Sequence, residues 1–332
     1  MRSTTSRRFA TALAVLALLT AAGCSNDQAA DAVPDGDTPT GIVTIEHALG
    51  STSIDRAELG TDPRIVALTV PAVDAALALG VQPVAFASDT TGAPDGRYPW
   101  QSGLAADVPL MSIPVDGTLP IEEIASYAPD LILADFAAST PAQYQQLTAL
   151  APTIPVIGDT VSPYDALTRA LGTALGREDD ADAVIARTQT ALADAAAELP
   201  GLAGRTALLS QYIPATQQLV VVADPDDGAS AFYRQLGMTL PPIERAETVG
   251  NRLVVGPERL DVLNSDLVTI LVNGGTAADL EALPGWADLP SVRSGGMLIT
   301  DYATIIALNT PSPSSLTYAL EKVRPTLRSI AG

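Results

Sequence analysis

Between residues 178 and 199, apolar or small side chains return at three- and four-residue spacing: Ala181, Val184, Ile185, Thr188, Ala191, Leu192, Ala195 and Leu199. A single stripe of this kind predicts one long helix with one buried face. Asp179 or Asp180 can cap its first amides, where acidic groups also suit the helix dipole, and Pro200-Gly201 stops it. On either side, short apolar runs of strand length alternate with helical segments. Before it come a small hairpin from Val43 to Ile54 turning near Gly50, a buried strand over 64–68, a helix over 70–79 closed by Gly80, and a strand over 83–87. A short strand over 110–113, a helix over 141–150, a strand over 153–157 and an amphipathic segment over 162–175 follow. After it come strands over 206–210 and 219–223, helices over 230–236 and 279–283, and a strand over 297–300. A last helix over 314–330 has Pro325 positioned to kink or divide it. The strand-helix-strand rhythm predicts parallel sheets with right-handed crossovers.

The chain repeats itself across the long helix. Glu122-Glu-Ile-Ala-Ser-Tyr-Ala-Pro-Asp-Leu-Ile132 aligns at constant offset with Glu258-Arg-Leu-Asp-Val-Leu-Asn-Ser-Asp-Leu-Val268. Glu122 meets Glu258, Ile124 meets Leu260, and Asp130-Leu131 meets Asp266-Leu267. Each copy reads as a short helix, a turn and a buried strand, followed by a loop of small residues. Two copies flanking a helix predict two similar α/β lobes with the helix as a rigid strut. The chain divides accordingly into an N-terminal lobe over 42–177, a connecting helix over 178–199 and a C-terminal lobe over 200–332.

Residues 1–24 read as a targeting segment: Arg2, Arg7 and Arg8, an apolar core over 10–19 too short for a comfortable membrane span, and the sequence Leu19-Thr-Ala-Ala-Gly-Cys24. This end resembles a bacterial lipoprotein signal, cleaved before a cysteine that is then lipidated, although Ala21 stands where leucine is usual. Cys24 is the only cysteine, so an exported chain has no disulfide and lipidation is its natural role. Residues 25–41, polar and rich in Asp, Ala, Pro and Gly, read as a flexible tether. A formal net charge of −20 argues against a nucleic-acid partner.

Catalytic patterns are missing. The one histidine, His47, sits on the first hairpin, where a structural or solvent-facing role is expected. One histidine and one cysteine exclude a multi-histidine or cysteine metal site and leave no material for a nucleophile-histidine relay. There is no phosphate loop, dinucleotide fingerprint or nucleophile elbow. A hydrolase would have to use a pair of carboxylates. Glu122 and Glu123 diverge on one helix, which leaves Asp89 with Asp135. A ligand between two lobes meets the loops beyond the carboxyl ends of the strands. Those loops carry Arg97, Tyr98, Trp100, Phe136, Tyr212, Asn273 and Tyr302. With only 4% aromatic residues in the chain, aromatics concentrated there are candidates for recognition, edge packing being the alternative. Glu122 and Glu258 are matched acids at the starts of short helices, either ordinary N-terminal acids or a pair for two basic sockets on a partner.

From about Val43 to Ile330 the chain resembles the helical-backbone class of periplasmic-binding-protein-like lipoproteins, the ABC-transporter substrate-binding proteins for ferric siderophores. The resemblance rests on Arg64-Ile-Val-Ala-Leu68, Asp74-Ala-Ala-Leu-Ala-Leu-Gly-Val81, Ile121-Glu-Glu-Ile-Ala-Ser-Tyr-Ala-Pro-Asp-Leu-Ile-Leu133 and Leu171-Gly-Thr-Ala-Leu-Gly176, in that order. It implies two Rossmann-like three-layer α/β lobes joined by one long helix, with the ligand cleft between them. It also implies a monomeric, non-enzymatic protein without a cofactor, lipid-anchored on the outer face of the cytoplasmic membrane, that passes a ferric siderophore to an ABC permease. Glu122 and Glu258 match the two glutamates that dock the permease. Aromatic contacts and one or two arginines would hold the chelate, whose iron keeps its own oxygen ligands. Haem and cobalamin binders share the fold; an exported hydrolase or a lipoprotein making only protein contacts are the readings from other classes.

Overall fold

The computed structural model describes residues 41–332 apart from Val115, Asp159, Thr160, residues 244–247 and Gly250. Cys24, the targeting segment and residues 25–40 of the expected tether lie outside the described residues.

The first lobe opens with the expected hairpin, β1 (Ile42–His47) and β2 (Gly50–Asp55), followed by a single turn of helix, α1 (Arg56–Leu59). Its sheet contains β3 (Ile65–Ala67), β4 (Ala85–Ala87), β5 (Leu110–Met111), β6 (Leu131–Asp135) and β7 (Thr153–Pro155). All neighbours are parallel, in the order β5-β4-β3-β6-β7. Helices α2 (Val70–Ala78) and α5 (Ala166–Leu175) cover one face, and α3 (Ile121–Ser126) with α4 (Pro141–Thr148) the other. Three layers result because β3 and β6 are apolar on both sides and must be covered on both.

The second lobe is a six-stranded sheet, β10-β11-β9-β8-β12-β13. Its strands are β8 (Ala207–Ile213), β9 (Gln218–Val222), β10 (Thr248–Val249), β11 (Arg252–Val255), β12 (Leu267–Val272) and β13 (Met297–Thr300). The expectation of a parallel sheet holds only for β8, β12 and β13. Strand β9 returns from β8 through a tight turn, so the β8-β9-β11-β10 half is antiparallel. Helices α7 (Ala231–Gln235), α10 (Tyr302–Asn309) and α11 (Pro313–Ala331) cover one face; α8 (Ala277–Glu281) and α9 (Pro290–Ser294) lie beyond the other. Pro325 lies inside α11 without ending it.

Helix α6 (Glu178–Glu198) joins the lobes. Its start is flanked by Arg177 with no side-chain capping bond, so neither Asp179 nor Asp180 caps it. Its buried residues are Ala181, Val184, Ile185, Thr188, Leu192 and Ala195, the stripe read from the sequence. Ala181 packs in the core of the first lobe, and Leu192 and Ala195 in that of the second. Twenty-one residues span about 31 Å at 1.5 Å each, so one continuous stripe serves two cores. The approach of α5 to α6 depends on Gly172: a Cβ there would stand 2.6 Å from the Ala181 Cβ.

Candidate ligand-binding site between the lobes

The lobes meet away from α6 through α2 and α11. Asp74 of α2 is 1% exposed and accepts three hydrogen bonds. Trp100 Nε1 donates to Oδ2 at 2.9 Å, Gln101 Nε2 to Oδ1 at 2.6 Å, and Ser312 Oγ, from the N-cap of α11, to Oδ2 at 2.5 Å. Burial pushes the Asp74 carboxyl up to about 6, with the three donors opposing part of the rise. The Trp100 ring stacks on Tyr98 at 4.9 Å and tilts against Tyr318 of α11 at 5.1 Å.

Beside this junction is a cavity of about 220 Å³. Its floor is the apolar face of the second sheet, Leu209, Val220, Val222 and Leu271, with Ile305 of α10. Its polar groups are Asp89, Ser210, Gln211, Arg252, Tyr302 and Asn309, and Asp89 alone comes from the first lobe. Tyr302 opens α10 behind the cap Asp301, whose side chain accepts from the Thr304 amide. Its ring lies against Gly92, where a Cβ would stand 2.2 Å from Cδ1, and its hydroxyl donates to Asp89 Oδ2 at 2.5 Å. Burial pushes the Asp89 carboxyl up, but the hydrogen bonds from Tyr302 and the Thr91 amide prevail and hold it below the usual carboxylate range. Burial and the neighbouring Asp89 push the Tyr302 phenol up to about 12.

Arg252 opens β11. Its Nη1 donates to Asp227 Oδ2 at 2.9 Å and to the Asn251 carbonyl at 3.3 Å, and its Nη2 donates to Asn309 Oδ1 at 3.0 Å. The Asp227 side chain is fully buried and also accepts from the Ala229 amide. Nε–H and one Nη2 hydrogen of Arg252 have no partner among the described residues, so a guanidinium fixed on one edge presents donors on the cavity wall, an arrangement suited to an anionic oxygen.

Of the residues singled out from the sequence, Asp89 and Tyr302 line this cavity. Asn273 stands just behind it, its amide donating to Gln211 Oε1 at 3.2 Å. Phe136 is 38% exposed, past the end of β6, and is not part of the lining. The others serve structure. Arg97 donates to the carbonyls of Asp95, Ala105, Ala106 and Val108 and covers the Phe86 ring, so its charge is spent closing the 89–107 loop. Tyr98 is 2% exposed and donates to the Asp89 carbonyl. Trp100 belongs to the Asp74 junction. Tyr212 is 3% exposed on the opposite face of the second sheet, packed with Leu219, Leu260 and Leu280. These four are corrected from ligand contacts to packing residues: Arg97, Tyr98 and Trp100 lie on the loop after β4 and Tyr212 inside β8 rather than on a loop, and the side chains of all four turn into the protein.

Arg252, Asn309 and Gln211 were not anticipated. The signal for Arg252 is a polar residue heading the short apolar run Leu253-Val-Val255, which has strand composition. Asp135 is 1% exposed, receives Ser162 Oγ at 2.5 Å and is pushed up to about 6 by burial. It does not line the cavity with Asp89, which removes the carboxylate pair a hydrolase would need. His47 binds Thr52 Oγ1 at 3.1 Å and packs edge-on against Tyr144, as expected of a structural histidine. A second cavity of about 190 Å³ under α7 is walled mainly by apolar residues of the second lobe and touches no residue of the first, so the inter-lobe cavity is the better candidate for binding.

Two α/β lobes on a helical strut, with a polar-rimmed cavity where they meet, describe a solute-binding protein. The model of the periplasmic binding protein family matches residues 65–302, and the chain belongs to that family, whose members bind solutes and are not enzymes. It is 26% identical over 298 residues to the Fe(3+)-citrate-binding protein YfmC of Bacillus subtilis, covering 87% of this chain and 88% of that one. A periplasmic solute binding protein from Mycobacterium smegmatis superposes with a TM-score of 0.73 at 26% identity, over 88% of this chain and 99% of that one. PiaA of Streptococcus pneumoniae in complex with ferrichrome shares the fold at 22% identity, with a TM-score of 0.70 and coverage of 87% and 98%. Among the described residues no helix is long and apolar enough to cross a membrane, and no group of three His, Cys, Asp or Glu side chains is placed to hold a metal ion.

Proposed function

We propose that this protein captures a ferric siderophore outside the cytoplasmic membrane and delivers it to an ABC importer. The observation that carries the reading is the inter-lobe cavity, whose lining brings Arg252, with guanidinium donors that have no partner among the described residues, together with Asp89 and Tyr302. The ferric citrate named for the Bacillus relative and the ferrichrome bound by PiaA support it. Iron is then cargo, and the protein performs no chemistry on it. A cavity of about 220 Å³ is smaller than the ~300–1,000 Å³ of ordinary ligand sites. It favours a compact, carboxylate-rich chelate over haem or cobalamin.

In the same reading Cys24 carries the lipid that tethers a monomer to the membrane. Glu122, exposed in the first turn of α3, and Glu258, exposed in the 3-10 turn Pro257–Leu263, dock the permease. Each acid precedes a strand one in from the edge of its sheet, β6 or β12, which supports the pairing. Tryptophan fluorescence and calorimetric titration with ferric hydroxamates, catecholates and citrates, haem and cobalamin test the ligand. Saturable binding of one ferric class at micromolar concentration or below is expected; heat and fluorescence both silent for every ferric chelate would overturn the proposal.

A further inference from the structure

We propose that Asp89 and Tyr302 are iron ligands, filling two neighbouring positions on a ferric chelate that brings too few donors of its own and thereby joining the two lobes through the metal. The inference rests on the ferric-chelate reading above and departs from the expectation that the iron keeps only the chelate's own oxygens.

Ferric iron is a hard cation and takes anionic oxygen donors, carboxylate and phenolate among them. The cavity offers one of each at its mouth, from opposite lobes, with Tyr302 Oη 2.5 Å from Asp89 Oδ2. Two oxygens at adjacent corners of an octahedron with metal–oxygen bonds of about 2.0–2.1 Å stand about 2.8–3.0 Å apart. A shift of a few tenths of an ångström therefore converts the hydrogen-bonded pair into a bidentate metal edge. Both groups are held in place: the Tyr302 ring by Gly92 and the Asp301-capped start of α10, and Asp89 through Oδ1, which accepts from the Thr91 amide at 2.8 Å.

Two ligands cannot cage a bare ion, and among the described residues there is no cluster that would. The remaining positions must belong to the chelate. A hydroxycarboxylate chelate meets this need: it is small enough for the cavity, it leaves positions on iron to water, and its spare carboxylates suit the free donors of Arg252. On binding, two waters leave the iron, one for each protein oxygen; the Tyr302 O–H bond breaks, an O–Fe bond forms, and the phenol proton goes to solvent. Asp89 exchanges its hydrogen bond for the metal.

Ferric citrate is the probe. Titrated into the purified protein, it should produce a new visible phenolate-to-iron charge-transfer band. Calorimetry in buffers of different ionisation enthalpy should show one proton released per iron bound. Tyr302→Phe should abolish the band and weaken ferric citrate at least about tenfold, the order of loss for a group that supports a metal site. Asp89→Asn should keep the band, displace its maximum and weaken binding. A ferric trihydroxamate, whose donors already fill the octahedron, should give no band, and whatever affinity it has should be the same for wild type and Tyr302→Phe. Matching thermal melts show that the variants are folded. Ferric citrate bound tightly with no new band, or with equal affinity by Tyr302→Phe, overturns direct coordination and leaves the ferric-chelate reading standing. Failure of every ferric chelate to bind wild type overturns both.

Discussion

Asp74 makes the lobe junction a measurable quantity. Its folded pKa of about 6 against the ordinary 3.8 is a difference of roughly two units, worth about 3 kcal/mol at 1.36 kcal/mol per unit. The sign follows from linkage. Between the two values the folded protein binds the proton that the unfolded chain has lost, so stability falls as pH rises through the window from about 4 to 6. Above it, the buried charge costs its full amount. Asp74→Asn removes the charge and keeps the shape. Its oxygen can still accept from Trp100 and Ser312, while its amide faces the Gln101 amide and breaks one pair, a loss of about 1–3 kcal/mol. The variant should therefore equal or exceed wild type in stability at pH 7.5, by up to about 2 kcal/mol, and lose the Asp74 share of the pH 4–6 decline. Asp135 titrates in the same range and remains in both proteins, so the difference between the two curves isolates Asp74. Asp74→Ala leaves three donors without an acceptor. At about 1–3 kcal/mol each, less the roughly 3 kcal/mol of relieved charge burial, it should destabilise by up to about 6 kcal/mol. Urea unfolding at pH 4.5, 6 and 7.5, followed by circular dichroism, gives all three curves. Asp74→Asn less stable than wild type at pH 7.5 by more than about 2 kcal/mol would refute the reasoning, because the hydrogen bonds would then outweigh the charge burial.

Arg252→Met should destabilise by about 3–5 kcal/mol by leaving the fully buried Asp227 carboxylate unpaired; adding Asp227→Asn should restore most of the melting temperature without restoring ferric-chelate affinity. Ser312→Ala removes both the α11 cap, whose oxygen accepts from Ser315, and a donor to Asp74, so urea unfolding should report a loss of about 1–2 kcal/mol. Glu122→Ala with Glu258→Ala should leave binding intact and abolish uptake of labelled chelate by cells; unimpaired uptake would count against docking.

Three of the four misplaced site residues, Arg97, Tyr98 and Trp100, lie on the long 89–107 loop. Its address beyond a strand was legible, but the direction of its side chains was not. A single polar group on Asp74 draws Trp100 inward, and four carbonyls draw in Arg97; those acceptors come from folded backbone and a distant helix. Tyr302 is legible because it follows the strand over 297–300 at the cleft edge, although the expected loop there is helix α10. The β10–β11 hairpin leaves little signal in the sequence because its strands are short, and Arg252 belongs to it.

The chain by itself determined the periodic parts. The α6 stripe, the first lobe's buried strands and the repeated helix-turn-strand units follow from nearest-neighbour spacing and from apolar runs that must be covered on both faces. Two lobes and a strut follow from those. Only the tertiary structure decided which polar side chains meet. Asp89 with Tyr302, Asp74 with Ser312 and Arg252 with Asn309 are separated by 213, 238 and 57 positions. The first two pairings depend on how the two lobes are set against each other and the third on how α10 packs across the second sheet, which no local pattern in the chain encodes.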